Sequence, residues 1–274
     1  MPNILDNILT VKRREAADLA PRQADLRAAA RDAPPARSLS AALRRGQGTV
    51  PLSSRGTVPV SSPIRVVAEI KRRSPSVGVI VDPFDPVRIA ATYAAAGAEA
   101  ISCLTDREFF GGSIEDLRRV RIAVPLPVLR KDFLIAPVQI YEARAAGADA
   151  VLLIAEALNP AAMEDLASLA ADLGMEVLAE AHGAEALASA IACGAALVGV
   201  NNRDLATFKV DLATTERLAP LVRKAGRVLV AESGIAGVAD VRRVLAAGAD
   251  AILVGEALLR SPDIAAKIAE FKCA

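Results

Sequence analysis

Charged side chains follow the apolar run Val66-Val67-Ala68 without a break. Glu69 and Lys71 lie two positions apart, and the segment Ser74-Pro75-Ser76 then turns the chain. Because side chains alternate along a strand, the carboxylate and the ammonium fall on one face at the end of that strand. Burying two such charges is unfavourable unless they pair with each other or bind a ligand. The spacing therefore indicates either an acid–base pair at the mouth of a site or a surface salt bridge.

Polar or charged residues also follow most of the other apolar runs. They are Thr105-Asp106, Arg130-Lys131-Asp132-Phe133, Glu180, Asn201-Asn202-Arg203-Asp204, Glu232-Ser233-Gly234 and Gly255-Glu256. Lysine and glutamate side chains confined together shift one another's pKa values, so that one can act as an acid and another as a base near neutral pH. The alternative is structural ion pairing between neighbouring strands.

Two further features indicate a ligand. Residues 233–237 and Gly255-Glu256 form short loops of small residues and glycine. Such loops let backbone N–H groups approach a phosphate, or they only form tight turns. Phe110 and Phe133, two of six phenylalanines, follow other apolar runs. They predict a flat apolar ligand surface, with plain packing beneath the loops as an equal alternative.

A near-repeat provides the elements that position these groups. Gly97, Gly147, Gly194 and Gly248 each end an alanine-rich helical pattern, and an apolar run follows each of them. A glycine at that place suits the left-handed conformation that closes many helices. The four glycines are 50, 47 and 54 residues apart, which is about two strand–helix units.

The full pattern contains eight apolar runs that read as strands, at residues 65–68, 101–104, 127–129, 151–154, 176–179, 197–200, 227–230 and 252–254. Helical patterns alternate with them, for example at residues 85–96, 138–146, 161–173 and 238–247. Continuous apolar strands between amphipathic helices are typical of a parallel sheet covered on its outer side. We therefore predict an α/β fold, a (β/α)8 TIM barrel whose functional groups lie where the strands end. A doubly wound open sheet is the alternative, but no G-x-G-x-x-G motif follows the first strand.

The first part of the chain lies outside this pattern. We expect an N-terminal helical extension and loop over residues 1–62, followed by the barrel over residues 63–274, within a single domain. Residues 3–30 predict one or two amphipathic helices, and the basic residues from Lys12 to Arg14 read as a solvated helix face. The segment 48–62 contains a short duplication rich in Gly, Pro and Ser, which favours a mobile loop over a short β-hairpin.

Composition restricts the partners and the location. Hydrophobic residues make up 53% of the 274 residues, and the net charge of +1 argues against a nucleic-acid partner. No apolar run reaches the length of a membrane span and no signal-like segment stands at the start, so we expect a cytoplasmic protein. Cys103 and Cys193 read as buried reduced thiols. His182 is the only histidine, which excludes a multi-histidine metal site, and it reads as an exposed loop residue.

Five segments together carry a resemblance to a known family. They are VAEIKRRSPS at 67–76, LTDREFFGGS at 104–113, VLRKDF at 128–133, GVNNRDL at 199–205 and AESGI at 231–235. In their order and spacing they closely resemble the indole-3-glycerol-phosphate synthase family over residues 5–260. Five motifs in order are far more specific than any one of them.

The resemblance implies conversion of 1-(2-carboxyphenylamino)-1-deoxyribulose 5-phosphate into indole-3-glycerol phosphate, with loss of carbon dioxide and water, in tryptophan synthesis. It also implies that the N-terminal extension helps to cover the site. Lys131 matches the general acid that protonates the substrate carbonyl, and Glu180 matches the general base of the dehydration. Glu69 and Asn201 match residues that orient the substrate and the catalytic lysine. Lys71 matches a contact to the substrate carboxylate and is a second candidate acid.

The same resemblance implies the substrate-binding residues. The phosphate-side positions are Ser74, Ser233, Gly234, Gly255 and Glu256. The apolar positions around the anthranilate ring are Pro75, Phe110, Phe133, Leu152 and Leu205. The remaining members of the substrate-binding set are Arg203, Glu232 and Leu253. Glu256 stands where the family often has serine, and its carboxylate would repel a phosphate dianion unless it is turned away.

The implied reaction uses a phosphorylated small-molecule substrate and requires neither a cofactor nor a metal ion. We expect neither a nucleic-acid nor a membrane partner, and a monomer or at most a weak dimer. Three alternatives stay open. Phosphoribosylanthranilate isomerase shares the barrel but has a cysteine where Glu69 stands, and an FMN-binding barrel oxidoreductase would be yellow. A non-catalytic scaffold would not need lysine and glutamate at several strand ends.

Overall fold

The apolar runs of the sequence form eight parallel strands that close into a barrel, as a computed structural model shows. The structure describes residues 4–44, 47–52, 56–61 and 63–274, and only the backbone of residues 47–52 and 56–61. Each strand pairs with the next along the chain, and the last pairs with the first, so the open-sheet alternative is wrong. Strands β1 to β8 are Arg65–Ile70, Ala100–Leu104, Val128–Lys131, Ala150–Ile154, Glu176–Ala181, Leu197–Asn201, Val228–Glu232 and Ala251–Val254.

Five strands continue past the point where their apolar runs end. Glu69, Lys131, Glu180, Asn201 and Glu232 are strand residues, although the sequence pattern places them in the loops that follow. The strands continue because the backbone hydrogen bonds of the ladder do not depend on side-chain polarity. The candidate catalytic groups are thus held by the sheet itself.

Helices alternate with the strands and cover the outside of the barrel. Helices α4 to α12 are Pro86–Ala95, Ile114–Ala123, Pro137–Ala145, Pro160–Asp172, Ala184–Ala192, Ala213–Lys224, Val238–Ala247, Glu256–Leu259 and Ile264–Lys272. Asp85 and Asn159 cap two of them by accepting backbone N–H hydrogen bonds. The predicted left-handed glycines are confirmed, since Gly97, Gly147 and Gly248 have φ values of 85°, 90° and 102°.

The inside of the barrel is built in layers, each with one side chain from every second strand. One apolar layer comes from β1, β3, β5 and β7 and consists of Val67, Leu129, Leu178 and Val230. Two positions further along the same strands, the layer is ionisable and consists of Glu69, Lys131, Glu180 and Glu232. Because side chains alternate along a strand, both layers point into the barrel.

A short helix closes the opposite end of the barrel. Helix α3, Leu39–Leu43, places Leu39 and Leu43 among the interior apolar residues with 1% and 0% exposure. Ser40 donates its backbone N–H to a carboxylate oxygen of Glu176, the first residue of β5, at 2.6 Å. The segment that leads from the extension into the barrel therefore belongs to the core.

Two longer helices precede this plug, as the sequence predicts. Helix α1 is Ile4–Leu19 and helix α2 is Gln23–Asp32, and α2 packs against α6. The prediction of a solvated basic face is wrong for Lys12, whose side chain is buried and lies between Asp106 and Asp132. These aspartates follow β2 and β3, so the helix is fixed to the end of the barrel that carries the ionisable layer.

The duplicated segment pairs with itself. Its two halves form antiparallel strands, Gln47–Leu52 and Gly56–Ser61, with Val50 opposite Val58. The prediction of a loop is therefore wrong for these strands, and the hairpin alternative is correct. Residues 45–46, 53–55 and 62 lie outside the part that the structure describes. A smaller antiparallel pair, Arg73–Ser74 with Gly78–Val79, lies in the loop after β1.

Two of the cysteines differ in burial. Cys103 is buried as predicted. Cys193 is only half-buried, because it lies at the C-terminal end of the surface helix α8. Burial raises the pKa of the Cys103 thiol. In the described ranges, no helix combines the length and the apolar character that a membrane crossing requires.

Candidate active site

A cavity of about 460 Å³ opens at the end of the barrel where the strands finish. That volume is within the usual range for small-molecule sites. All predicted site residues except Gly255 line it, namely Glu69, Lys71, Ser74, Pro75, Phe110, Lys131, Phe133, Leu152, Glu180, Asn201, Arg203, Leu205, Glu232, Ser233, Gly234, Leu253 and Glu256. Convergence on one cavity is what the strand-end positions predict.

Lys131 is at the centre of the ionisable layer. Its Nζ atom lies 2.6 Å from a carboxylate oxygen of Glu180 and 2.6 Å from one of Glu232. Burial alone would lower the pKa of Lys131, but the carboxylates of Glu180, Glu232 and Glu69 raise it above its ordinary value. The side chain is therefore an ammonium at neutral pH.

Glu180 is the ionised carboxylate of the cluster. Burial would raise its pKa, but the Lys131 charge and hydrogen bonds from Lys131 and Asn201 lower it. Asn201 donates from Nδ2 to Glu180 Oε1 at 2.9 Å, while Lys131 binds the other oxygen. Both oxygens have a donor, so the carboxylate is fixed in one orientation.

The pKa of Glu232 is shifted in the opposite direction. Burial raises its pKa to about 8, with the Lys131 ammonium opposing this shift and the Glu180 carboxylate adding to it. The pKa values of the two glutamates beside Lys131 are thus shifted in opposite directions, and the two groups titrate together. Gly199 on the neighbouring strand makes room for Glu232, because a Cβ atom there would lie 2.2 Å from Glu232 Oε1.

Glu69 and Lys71 form the pair that their spacing suggests. The Lys71 ammonium lies 2.7 Å from Glu69 Oε1, with 15% and 8% of the two side chains exposed. The pair is too buried for a surface salt bridge and lies on the cavity wall. Gly255 stands behind it, since a Cβ atom at that position would lie 2.6 Å from Glu69 Oε1. Gly255 therefore borders the carboxylate of Glu69 and does not line the cavity.

Aromatic and aliphatic side chains form one side of the cavity. The ring centroids of Phe110 and Phe133 are 6.3 Å apart with an interplanar angle of 32°. Leu152 and Leu205 line the cavity with them. Both phenylalanines line the cavity and also pack against the apolar interior of the barrel, so their position is compatible with both readings.

Small residues form the other side. Phe133 follows β3 and Ser233 follows β7, and these strands face each other across the closed barrel. Ser233 and Gly234 have φ values of 63° and 77°, a left-handed pair that is strained for the serine. Glu256 Oε1 accepts a hydrogen bond from Arg260 Nε at 2.9 Å, so its charge is partly neutralised.

The loop after β6 adds two further polar contacts. Arg203 donates its backbone N–H to Asn201 Oδ1 at 2.9 Å and uses its guanidinium on the Phe208 carbonyl at 3.3 Å. His182 is half-buried, and its Nδ1 atom lies 2.8 Å from the Asn201 carbonyl oxygen. His182 lies in the loop after β5 as predicted, but the prediction that it is exposed is wrong, because β6 passes directly beside it.

Several cavity residues are absent from the predicted set. They include Leu5, Ile8, Ile154, Phe208 and Arg260. Leu5 and Ile8 share a face of α1, which is the amphipathic spacing that a sequence shows, but the spacing does not say what the face covers. Across the described residues, no three or more His, Cys, Asp and Glu side chains are grouped so that they could hold a metal ion.

Known structures resemble this barrel at low sequence identity. A thiamine phosphate pyrophosphorylase from Pyrococcus furiosus superposes with a TM-score of 0.59 and 20% identity, covering 77% of this chain and 94% of its own. A 3-hexulose-6-phosphate synthase gives a TM-score of 0.58 and 19% identity, covering 77% and 99%. At this identity the similarity supports the barrel fold alone.

Sequence relatives are much closer. The indole-3-glycerol phosphate synthase of Roseiflexus sp. (strain RS-1) is 46% identical over 98% of both chains. The enzyme of the same name from Rhodopirellula baltica is 45% identical over 95% of both. A family model described as indole-3-glycerol phosphate synthase matches residues 5–271. The chain therefore belongs to the indole-3-glycerol phosphate synthase family, the decarboxylating lyases of tryptophan biosynthesis that act on a phosphorylated small molecule.

Proposed function

We propose that this chain performs the family reaction by acid–base catalysis between lysine and glutamate side chains. The observation that carries the proposal is the Lys131 ammonium, held at 2.6 Å from both Glu180 and Glu232 on the cavity floor. Ring closure places a proton on the substrate carbonyl oxygen while the ring carbon that bears the carboxylate attacks the carbonyl carbon. Lys131 is the general acid for this step.

The bond changes follow from that proton transfer. A bond forms between the ring carbon and the carbonyl carbon, and the oxygen becomes a hydroxyl group. The carboxylate then leaves as carbon dioxide, and the electron pair of its bond restores the aromatic ring. In the last step the hydroxyl leaves as water with a proton from an ammonium, and a base removes a proton from the adjacent carbon to form the new double bond.

Glu180 is the base of the dehydration. Its lowered pKa keeps it ionised, and Asn201 and Lys131 each bind one of its oxygens. The raised pKa of Glu232 lets it take up a proton more readily than Glu180, and when Glu232 is protonated the Lys131 proton is held less tightly. Glu232 lines the cavity and faces the substrate. Through its contact with Lys131 it supports the acid role of Lys131 and the base role of Glu180.

Lys71 and Glu69 act on the substrate carboxylate. The Lys71 ammonium is 15% exposed and faces the cavity, where it can bind an anion. Glu69 orients it through the contact at 2.7 Å. Lys71 remains the second candidate acid, because it is the other ammonium on the wall.

The two sides of the cavity bind the two ends of the substrate. The anthranilate ring lies against Phe110 and Phe133, with Leu152 and Leu205 beside them. The phosphate binds on the opposite side, where its positions are Ser74 and, through backbone N–H groups, Ser233, Gly234, Gly255 and Glu256. The Glu256 carboxylate is held away from the phosphate by Arg260. Pro75, Arg203 and Leu253 complete the contact surface.

We also propose that residues 1–62 and 63–274 form one domain that works as a monomer or weak dimer in the cytoplasm. Burial of Leu39 and Leu43 inside the barrel supports the single domain. Sedimentation equilibrium of the purified chain tests the oligomeric state.

One assay tests the function. The purified chain is mixed with 1-(2-carboxyphenylamino)-1-deoxyribulose 5-phosphate, and indole-3-glycerol phosphate and carbon dioxide are followed together. We expect one carbon dioxide for each indole product, and no turnover of the analogue that lacks the ring carboxylate. Turnover of phosphoribosylanthranilate in place of this substrate would overturn the assignment in favour of the isomerase.

A further inference from the structure

A buried lysine on the N-terminal helix contacts three carboxylates. The Lys12 side chain is 1% exposed, and its Nζ atom lies 2.6 Å from Asp106, 2.9 Å from Asp132 and 2.9 Å from Glu15. Burial alone would lower the pKa of Lys12, but Asp132 and Asp106 raise it. The ammonium is thus charged, and desolvating it is costly unless these contacts persist.

The two aspartates also hold the backbone of the aromatic side of the cavity. Asp106 Oδ1 accepts the N–H of Phe110 at 3.0 Å. Asp132 Oδ1 accepts the N–H of Phe133 at 2.9 Å. The rings of these two phenylalanines face the cavity together. The carboxylates that bind the helix therefore also set the two segments that carry the rings.

A second buried cation, Arg130, contributes to this contact. Asp132 Oδ2 accepts hydrogen bonds from Thr105 Oγ1 at 2.6 Å and from Arg130 Nη2 at 3.2 Å. Lys12 and Arg130 thus oppose the two buried aspartates, and Arg130 also pairs with Glu142 at 2.9 Å. Removing the Lys12 charge leaves the two buried aspartates with one cation fewer. Because an uncompensated buried charge is destabilising, we expect the loops that carry the aspartates to move.

The same helix covers the cavity. Leu5 and Ile8 precede Lys12 by seven and four positions and so share its face of α1, and both line the cavity. Lys12 is the buried charged residue of that face. The contact between Lys12 and the aspartates therefore fixes a covering element as well as the aromatic side.

We propose that Lys12 is a positioning residue for the ring end of the substrate. By binding Asp106 and Asp132, Lys12 fixes the positions of Phe110, Phe133 and the covering face of α1. The spacing between these groups is then the one that the aromatic ring of the substrate requires. Lys12 touches no reacting atom. The inference rests on the proposed function, which puts the anthranilate ring on this side of the cavity.

The test compares Lys12→Met with Lys267→Met, which removes a lysine from an i,i+3 pair with Glu270 on an outer helix. The probes are N-methylanthranilate, followed by its fluorescence, and inorganic phosphate, followed by calorimetry. The chain has no tryptophan, so the anthranilate signal is read without tryptophan background. We expect Lys12→Met to raise the Kd for N-methylanthranilate about tenfold and to leave the Kd for phosphate unchanged. Lys267→Met should change neither.

Kinetics separate positioning from stability. With the full substrate, Lys12→Met should raise KM and lower kcat/KM by about 10- to 100-fold, with a smaller effect on kcat. In a Phe110→Ala background the same change should cost much less, because its effect passes through that ring. Lys12→Arg keeps the charge and should give intermediate values. A purely structural lysine would lower the melting temperature and leave these ratios unaltered.

The outcomes are distinguishable. If the parent protein and folded Lys12→Met bind N-methylanthranilate equally, the inference is overturned and the proposed function stands. If the parent protein turns over the full substrate but binds no N-methylanthranilate in competition with it, the ring does not lie on this side of the cavity, and the inference is overturned while the proposed function stands. If the parent protein does not turn over the substrate at all, both are overturned. If Lys12→Met does not fold, Lys12→Arg decides: a Kd raised for N-methylanthranilate but not for phosphate supports the inference, and unchanged affinities overturn it.

Discussion

The Lys131 ammonium and the Glu180 carboxylate lie 2.6 Å apart although 49 residues separate them in the chain. Lys131 ends β3 and Glu180 is on β5, so the two strands have one strand between them in the barrel. Neither residue depends on a loop for its position. The distance between the candidate acid and the candidate base is therefore a property of the sheet.

Replacing Lys131 by alanine should abolish catalysis and leave the fold intact. We expect kcat to fall by about 100- to 10,000-fold, which is the usual contribution of a general acid. The pair of half-buried Lys267 with exposed Glu270 on an outer helix offers a control, since Lys267→Ala should retain full activity. Indole-3-glycerol phosphate formation and circular dichroism measure the two properties. Near-normal turnover in Lys131→Ala would remove it as the acid.

Replacing Glu180 by glutamine should separate decarboxylation from dehydration. The amide keeps the shape and the Asn201 contact site but cannot accept the proton, so indole formation should slow by about 100-fold or more. Carbon dioxide release in a single turnover should be less affected. Glu270→Gln serves as the matched control. Equal slowing of both products in a single-turnover experiment would contradict the assigned step.

The raised pKa of Glu232 should appear in the pH dependence of stability. The group binds its proton more tightly in the folded state, so its contribution is fully present below pH 4.5 and is lost as the pH rises through about 8. Urea unfolding should show a stability decrease of at most about 1.4 kcal/mol for each pH unit in this window. The slope should be absent in Glu232→Gln. Identical slopes in both proteins would contradict the assignment.

A single methyl group at Gly255 should disturb the Glu69–Lys71 pair. The new Cβ atom would lie 2.6 Å from Glu69 Oε1 and 3.1 Å from Glu69 Cβ, so the carboxylate must shift. We expect kcat/KM to fall by about tenfold or more in Gly255→Ala. Gly183→Ala is the control, because a Cβ atom there meets open space. Equal activity of the two variants would show that the pair tolerates the shift.

The plug of the barrel should contribute to stability without affecting chemistry. Leu39→Ala leaves a cavity among interior residues and should lower the free energy of unfolding by about 2–5 kcal/mol. Leu221 is 45% exposed, and Leu221→Ala should change stability by about 0.5 kcal/mol or less. Both variants should keep the parent kcat well below their melting temperatures. Similar unfolding free energies would argue against the plug.

The barrel and most of the site follow from the sequence for a specific physical reason. Parallel strands bring their ends to one edge, so residues such as Lys131 and Glu180 meet there whatever loops connect them. The apolar pattern predicts strand ends that come too early, since a charged residue such as Glu69 interrupts an apolar run without interrupting the backbone ladder.

The burial of Lys12 cannot be predicted from the helical pattern of α1 alone. Its burial depends on Asp106 and Asp132, which come from loops about 90 and 120 positions away in the chain. Periodicity along α1 reports only the helix itself, so a basic residue there reads as solvated. The prediction for the duplicated segment is wrong for a similar reason. Its Gly, Pro and Ser content favours a loop, but the two halves pair with each other and form a hairpin.

The ionisable layer lies directly on an apolar layer from the same four strands. That apolar layer consists of Val67, Leu129, Leu178 and Val230. The proton-transfer groups are consequently part of the packed interior, while the aromatic side, the small loops and the covering helix are attached to it from outside. New ligand shapes could thus be accommodated by exchanging those attachments, with the spacing of acid and base inherited unchanged. Evolution or design can treat this barrel as a fixed reaction centre with replaceable specificity parts.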